Sequence, residues 1–286
     1  MTLFDKFLRI RELGIFSIIV VFVVVAAIID PRFMTIDSWR AVFLAIPLIL
    51  VMAMGQMMVI ICRHVDISIG SILAFSAIVI GLLYIQFPGL SLWLSLIITA
   101  FVGLVMGLIN GFIVTRFNVH SIIVTLGTLS LYRGLVFIVS GGRQIDRNDI
   151  PEHVVSFSQT SFFFSIPGIL IFSAIIVIIT HLVMRHSVLG REIYATGSNP
   201  VAAHLKGINV TKVTLFCFGV CGMLAGVAGL FYASRFGYVN PGVTGVGIEF
   251  IVIAGVIIGG TSITGGSGSV LGTFLGILLL RIINVA

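Results

Sequence analysis

Six stretches of the chain carry no Asp, Glu, Lys or Arg: residues 13–29, 41–62, 67–115, 153–184, 213–234 and 250–280. Charge-free apolar runs of 18 or more residues read as membrane spans, and one span needs about 20 residues. The longest run, 49 residues from Ile67 to Thr115, must therefore bend. QFPGLS at 86–91 supplies the bend, with Pro and Gly as punctuation. The pattern predicts nine helical spans, near 13–29, 41–62, 68–85, 92–115, 121–140, 166–184, 213–234, 246–262 and 268–285. A β-barrel would show period-two alternation in segments of about ten residues, and no stretch does. The fold class is all-α, a polytopic helical membrane protein, with residues 1–286 forming one transmembrane domain.

Composition agrees. Of 286 residues, 59% are hydrophobic and 9% charged, against about 25% charged in soluble domains. The net charge of +6 reads as membrane topology rather than nucleic-acid binding. With the N-terminus inside, the inner segments hold Lys6, Arg9, Arg11, Arg63, Arg116, Arg185, Arg191, Lys206 and Lys212. The outer segments hold Arg32, Arg40, Arg143, Arg147 and Arg235, offset by Asp30, Asp37, Asp146, Asp149 and Glu152. Excess basic charge on the inner side favours a cytoplasmic N-terminus. The first apolar run follows Lys6, Arg9 and Arg11 like a signal peptide, but it is long and lacks a small-residue cleavage site. It reads as an uncleaved span. Cys62, Cys217 and Cys221 all fall in apolar runs and read as small core side chains. No zinc-ligand spacing occurs, and no metal or cofactor is expected.

The most charged stretch on the expected inner side is residues 185–212. Within it, Asn199 is a good N-cap and Pro200 suits the first helical position. Gly207 suits the left-handed residue that closes a helix. The predicted helix over 200–206 is too short to be stable alone. Ala202 and Ala203 would let a partner surface approach closely; the other reading places the helix at the lipid headgroups.

Four motifs occur in order: VDISIGS (65–71), TLGTLSLYRGL (125–135), LGREIYATGSNPVAAHLKGI (189–208) and GGTSITGGSGSVLGT (259–273). Together they resemble those of the bacterial ABC-transporter permeases that import ribose, xylose, galactose, rhamnose and the autoinducer-2 signal. The resemblance implies that residues 185–212 dock on a separate cytoplasmic ATP-binding subunit, with Gly190, Arg191, Glu192, Asn199, Pro200, Ala202, Ala203 and Gly207 in the coupling segment. It implies a periplasmic solute-binding protein at the outer face, a second permease copy or paralogue, and a place in the inner membrane. It also implies one more span than the nine counted, so the chain looks C-terminally shortened.

Ionisable groups within spans are costly and are functional candidates by default. Asp66 has Arg63 three residues away, a helix-turn spacing. With Ser68 it is suited to capping the third span. A structural anchor at a break between spans is one reading, and a place on the translocation path is the other. Glu249 opens an apolar run expected near the outer side, as a helix-start acid or where a binding protein docks. Arg133 falls in the outer half of the fifth span. Gln56, Asn110, Thr125 and Thr128 are candidates for weak solute contacts or for helix–helix hydrogen bonds.

Gly103 with Gly107 and Gly222 with Gly226 form GxxxG pairs, each followed by Arg-Phe (116–117 and 235–236). Opposite running directions hint at an inverted repeat. GGTSITGGSG (259–268) lacks the GK[ST] ending of a phosphate loop and reads as a tight inner turn. With no Walker motif, ATP hydrolysis falls to another chain. HExxH and GxSxG are absent too, so an enzyme is not expected. The competing class is an ion-coupled secondary transporter, which would need acids such as Asp66 or Glu249 poised for coupling.

Overall fold

The apolar runs fold as helices that end at the polar punctuation. The computed structural model describes residues 11–159, 161–163 and 166–285. Lys6 and Arg9, counted above for topology, and Ala286 lie outside them. Helix α1 (Arg11–Ile29) leads through a 3-10 turn, capped by Asp30, to α2 (Ile36–Ile61), capped by Thr35. Three long helices follow: α3 (Ile69–Gln86), α4 (Leu92–Phe117) and α5 (Ser121–Ser140). A polar connection then carries the short α6 (Glu152–Gln159) and an antiparallel pair, β1 (Ser161–Phe163) with β2 (Ile166–Pro167). After α7 (Gly168–His186) come two short helices, α8 (Val188–Ser198) and α9 (Pro200–Leu205), then α10 (Val210–Phe236), α11 (Ile248–Ile258) and α12 (Val270–Val285).

Seven of these, α1 to α5, α7 and α10, are long and apolar enough to cross a membrane. Helix α2 is the axis of the bundle. Val51, Met52, Ala53, Met54 and Met57 are wholly buried. The outer surface is apolar instead: Ile28 is 76% exposed, Phe101 63% and Ile123 66%, as a lipid-facing girdle requires.

The expected eighth span is corrected. Helix α11 covers only Ile248–Ile258, about 16 Å at 1.5 Å per residue. Pro241 and the glycines at 242, 245 and 247 precede it, with Gly245 and Gly247 both at φ +77°. Side chains with a Cβ rarely adopt that conformation, so the helix starts only after Gly247. The chain instead runs without helix over residues 237–247 before this half-length helix begins. Helix α12 runs from Val270 through the last described residue, Val285.

The two GxxxG pairs pack against each other. A Cβ on Gly103 would lie 2.8 Å from Gly226 N, and one on Gly107 would lie 3.0 Å from Gly222 Cα. Helices α4 and α10 therefore touch backbone to backbone, as small residues allow. They run antiparallel: Gly107 meets Phe218 O, and Gly226 meets Thr99 O. Those two contacts are one contact repeated, because Thr99 and Phe218, like Gly107 and Gly226, are 119 positions apart. Both helices end on left-handed caps at that same spacing, Asn118 (φ 52°) and Gly237 (φ 69°). The hinted inverted repeat is thus a local two-fold relating α4 to α10.

Candidate functional site

Between α2 and α3 the chain leaves helix for residues 62–68, and there Asp66 is fully buried. Its Oδ1 accepts from Ser68 N (2.9 Å) and Ser68 Oγ (2.7 Å), a local turn; the expected cap on α3 is replaced, because Ser68 is the N-cap and its side chain accepts from no N–H of the helix. From α4, Asn110 Nδ2 donates to Asp66 Oδ2 (3.2 Å) and to Ser68 Oγ (2.8 Å). From α5, the single Tyr132 hydroxyl proton is shared between Asn110 Oδ1 (3.1 Å) and Met106 O (3.0 Å). From α2, the Gln56 amide in its satisfying orientation donates to Asp66 O (3.2 Å) and accepts from Asp66 N (3.1 Å). Asp66, Ser68, Asn110 and Gln56 have no exposed surface. The geometry is that of an anchor pinning α2, α4 and α5 at the break. Thr128 stands apart, bonded only weakly to Thr125 O (3.4 Å) within its own helix. Thr125 reaches the break through Val65 O (3.3 Å).

The expected Arg63–Asp66 pair is replaced. Helix spacing does not apply here, because Arg63 has φ +68°. Its side chain turns back to the end of α8, with Nε on Gly197 O (2.6 Å) and Nη2 on Ser198 O (2.7 Å).

Glu249 is also corrected in depth. It opens α11, nine residues or about 14 Å before the helix's far end, and its side chain is buried. Its carboxylate rests against Gly70, beside Gly245 O. The starts of α3 and α11 thus abut deep in the bundle. Arg133 donates to Thr244 O (2.6 Å) just before α11, which ties α5 to this second break.

The loop at the bundle end is built as its punctuation predicts. Asn199 Oδ1 accepts from Ala202 N (3.0 Å), and Pro200 is the first residue of α9. Gly207 has φ +83°, and Ile208 N donates to Ala203 O (3.1 Å), the usual bond across such a left-handed close. The two alanines separate. Ala202 is exposed, while Ala203 is 4% exposed and faces its own chain. Sequence alone could not tell these faces apart, because two turns carry too little periodicity. The displayed face holds Val201 (71% exposed) and Leu205 (81%). Gly190 is buried against the carbonyls that end α7. Arg191 is exposed with Nη1 on His186 O (3.4 Å), and Glu192 is half-buried. The turn 259–268 sits beside this loop: Gly266 N donates to Ile61 O (2.9 Å) and Tyr194 OH to Gly268 O (2.8 Å).

The three cysteines are buried and unbridged, with Cys62 Sγ and Cys217 Sγ 3.5 Å apart. Among the described residues no cluster of three His, Cys, Asp or Glu could hold a metal ion.

A multi-pass bundle with broken helices, polar anchors at the breaks and a capped helix displayed from one end is the body of a membrane transport permease. The chain belongs to the family described as "Branched-chain amino acid transport system / permease component", whose profile matches residues 40–286. Members of this family are transport permeases, and the chain is not an enzyme. It is 34% identical over 257 residues, 90% of this chain and 70% of the relative, to the autoinducer 2 import system permease protein LsrC of Yersinia enterocolitica. The proteins of that name from Yersinia pseudotuberculosis and Yersinia pestis are 33% identical over 90% of this chain and 72% of theirs. No solved structure matches the chain.

Proposed function

We propose that the chain is the membrane-spanning subunit of an ATP-driven importer for a small sugar-like solute of the autoinducer-2 type. It works beside a second permease copy in the bacterial inner membrane, with the N-terminus cytoplasmic. A cytoplasmic ATP-binding subunit docks on α8–α9, and a periplasmic binding protein delivers solute at the opposite face. The family description names branched-chain amino acids, but identity across 90% of the chain to autoinducer-2 permeases favours the sugar-like solute. Within one copy the polar break is closed, since Asp66, Ser68, Asn110 and Gln56 have no exposed surface. The solute path in this reading therefore runs between copies, and Asp66, Ser68 and Asn110 shape it from behind.

The observation that carries the reading is α9. Its capping holds a two-turn helix that buries Ala203 and turns Val201, Ala202 and Leu205 outward. Apolar side chains displayed on a charged loop suit a groove on a partner. Ala202→Glu and Leu205→Glu keep helix propensity and leave the spans untouched. Each is expected to reach the membrane at normal levels, lose co-purification with the ATPase and lose uptake. Normal co-purification and uptake in both variants would return α9 to the headgroup reading. In vesicles with all partners, uptake is expected to survive an uncoupler while ATP is maintained. Collapse under the uncoupler would favour ion coupling.

A further inference from the structure

One side chain joins the displayed loop to the buried break. Arg63 follows α2, and its left-handed backbone, seldom adopted by residues with a Cβ, swings the guanidinium across the last turn of α8. There it donates to two successive carbonyls, Gly197 O and Ser198 O, at 2.6 and 2.7 Å. Helix ends leave such carbonyls unpaired and carry partial negative charge, so a cation is well placed. The backbones are in contact beside it. Gly266 N bonds Ile61 O (2.9 Å), and Gly197 leaves no room for a Cβ against Ile61 O. Between Arg63 and Asp66 the chain is held at each step. His64 N bonds Val59 O (3.0 Å), and Val65 bonds Ser121 Oγ (3.1 Å) and Thr125 Oγ1 (3.3 Å). Beyond Asp66 and Ser68 comes Gly70, which lies on Gly245 and Glu249.

We propose that Arg63 is the positioning residue that carries displacement of α8–α9 to the α2–α3 break, and through it to the junction of α3 with α11. The inference rests on the reading of α8–α9 as the ATPase-coupling segment. The planar guanidinium fork suits two neighbouring carbonyls at once; a lysine ammonium offers a point charge without that fixed geometry. Without the link, α8–α9 still moves with the ATPase, but the break does not follow. ATP is then hydrolysed without transport.

The test uses full complexes purified through a tag on the ATPase, so that only assembled permease is counted, and reconstituted with binding protein. The readout is solute taken up per ATP hydrolysed, with autoinducer-2 as solute. Arg63→Gln removes the charge and one of the two contacts, and the ratio is expected to fall by about tenfold or more, the scale of a lost charge-assisted bond. Arg63→Lys should fall between wild type and Gln. Co-purification and ATP hydrolysis should stay near wild type in both. An unchanged ratio in Arg63→Gln overturns the proposal. If that variant does not assemble, an unchanged ratio in Arg63→Lys overturns it. Loss of assembly in both makes Arg63 a docking or folding residue and also overturns it. If wild-type chain fails to co-purify with the ATPase, the coupling-segment reading itself has failed, which none of the other outcomes would produce.

Discussion

Asn110 is the hinge of the buried network, and replacing it with leucine tests whether the break is held as described. Leucine is close in volume but can neither donate nor accept. Four contacts are lost: to Asp66 Oδ2 at 3.2 Å and, weakly, Oδ1 at 3.5 Å, to Ser68 Oγ at 2.8 Å, and from Tyr132 at 3.1 Å. They are not equivalent. Tyr132 keeps Met106 O, and Ser68 Oγ still donates to Asp66 Oδ1. Among the described residues Asp66 Oδ2 then has no partner left, in a site with no exposed surface. An unsatisfied buried acceptor costs about 1–3 kcal/mol, more if charged. Hydrogen bonds between membrane helices average about 0.6 kcal/mol, and the added apolar contact of leucine offsets part of the loss. A net destabilisation of about 1–3 kcal/mol is expected. At roughly 3 °C per kcal/mol for a chain of this size, Tm in detergent should drop by about 3–9 °C.

Asp66→Asn breaks the same contact from the other side, since it sets one amide donor against another until Asn110 rotates. The double variant cannot lose that contact twice. Its cost should therefore fall short of the sum of the single costs by about 1 kcal/mol, within the range measured for touching residues. Thr128→Val is the control, because Thr128 only bonds its own helix at 3.4 Å; it should shift Tm by less than about 2 °C, under 0.5 kcal/mol. Wild-type stability in Asn110→Leu, or additivity within about 0.3 kcal/mol, would refute the account of the break.

Gly222→Val places a branched side chain where a Cβ already lies 2.7 Å from Gly107 Cα, so α4 and α10 must separate; no monodisperse peak is expected by fluorescence-detected gel filtration, whereas Gly127→Ala, in open space, should elute like wild type. His64, in the α2–α3 connection outside the helices, is held down to about 4 by burial and by the neighbouring His120. The unfolded chain therefore takes up that proton first, so the stabilising effect is complete above about pH 6.5 and is lost as pH falls towards 4. Tm of the wild-type protein should drop more between pH 7 and pH 5 than Tm of His64→Gln; equal drops would show that His64 is not the group responsible.

Hydropathy made most of the fold legible because, in lipid, a span must be apolar and helical along its whole length. The limits of α3, α4 and α5 fall within two residues of the pattern's own limits. Local capping made α9 legible for the same reason: Asn199, Pro200 and Gly207 act through backbone only a few residues away. The partner of Arg63 was not legible. The three-residue spacing to Asp66 suggests a pair only if the chain is helical between them, and at Arg63 it reverses. Nothing near Arg63 in sequence points to carbonyls more than 130 positions away. Asn110 and Gln56 were visible as polar groups in apolar runs, but their convergence on Asp66 depends on how α2 and α4 rotate against each other. Nothing in the sequence marks Tyr132 as the partner of Asn110, for the same reason.

Glu249 shows where hydropathy reasoning stops. Residues 246–262 are apolar enough for a span, yet the chain there is helical only from Ile248 to Ile258. Backbone without helix is admissible at that depth only if other parts of the protein satisfy it, and here they do. Asn240 N bonds Thr244 Oγ1 (3.0 Å), Thr244 N bonds Asn240 O (2.9 Å), and Asn240 Nδ2 bonds Gln144 Oε1 (2.7 Å). Val239 pairs through both backbone groups with Ile145, and Arg133 covers Thr244 O. Gln144 and Ile145 belong to the polar connection after α5, and Arg133 to α5 itself. The segment that follows α10 is therefore held open by the element that follows α4. The local two-fold relates α4 to α10 but not what comes next: after Asn118 the first copy resumes as one continuous helix, and after Gly237 the second needs ten residues before a helix can start. That difference sets the start of α11 against Gly70 and puts both breaks in one contact, so the path proposed from Arg63 through Asp66 ends on Glu249.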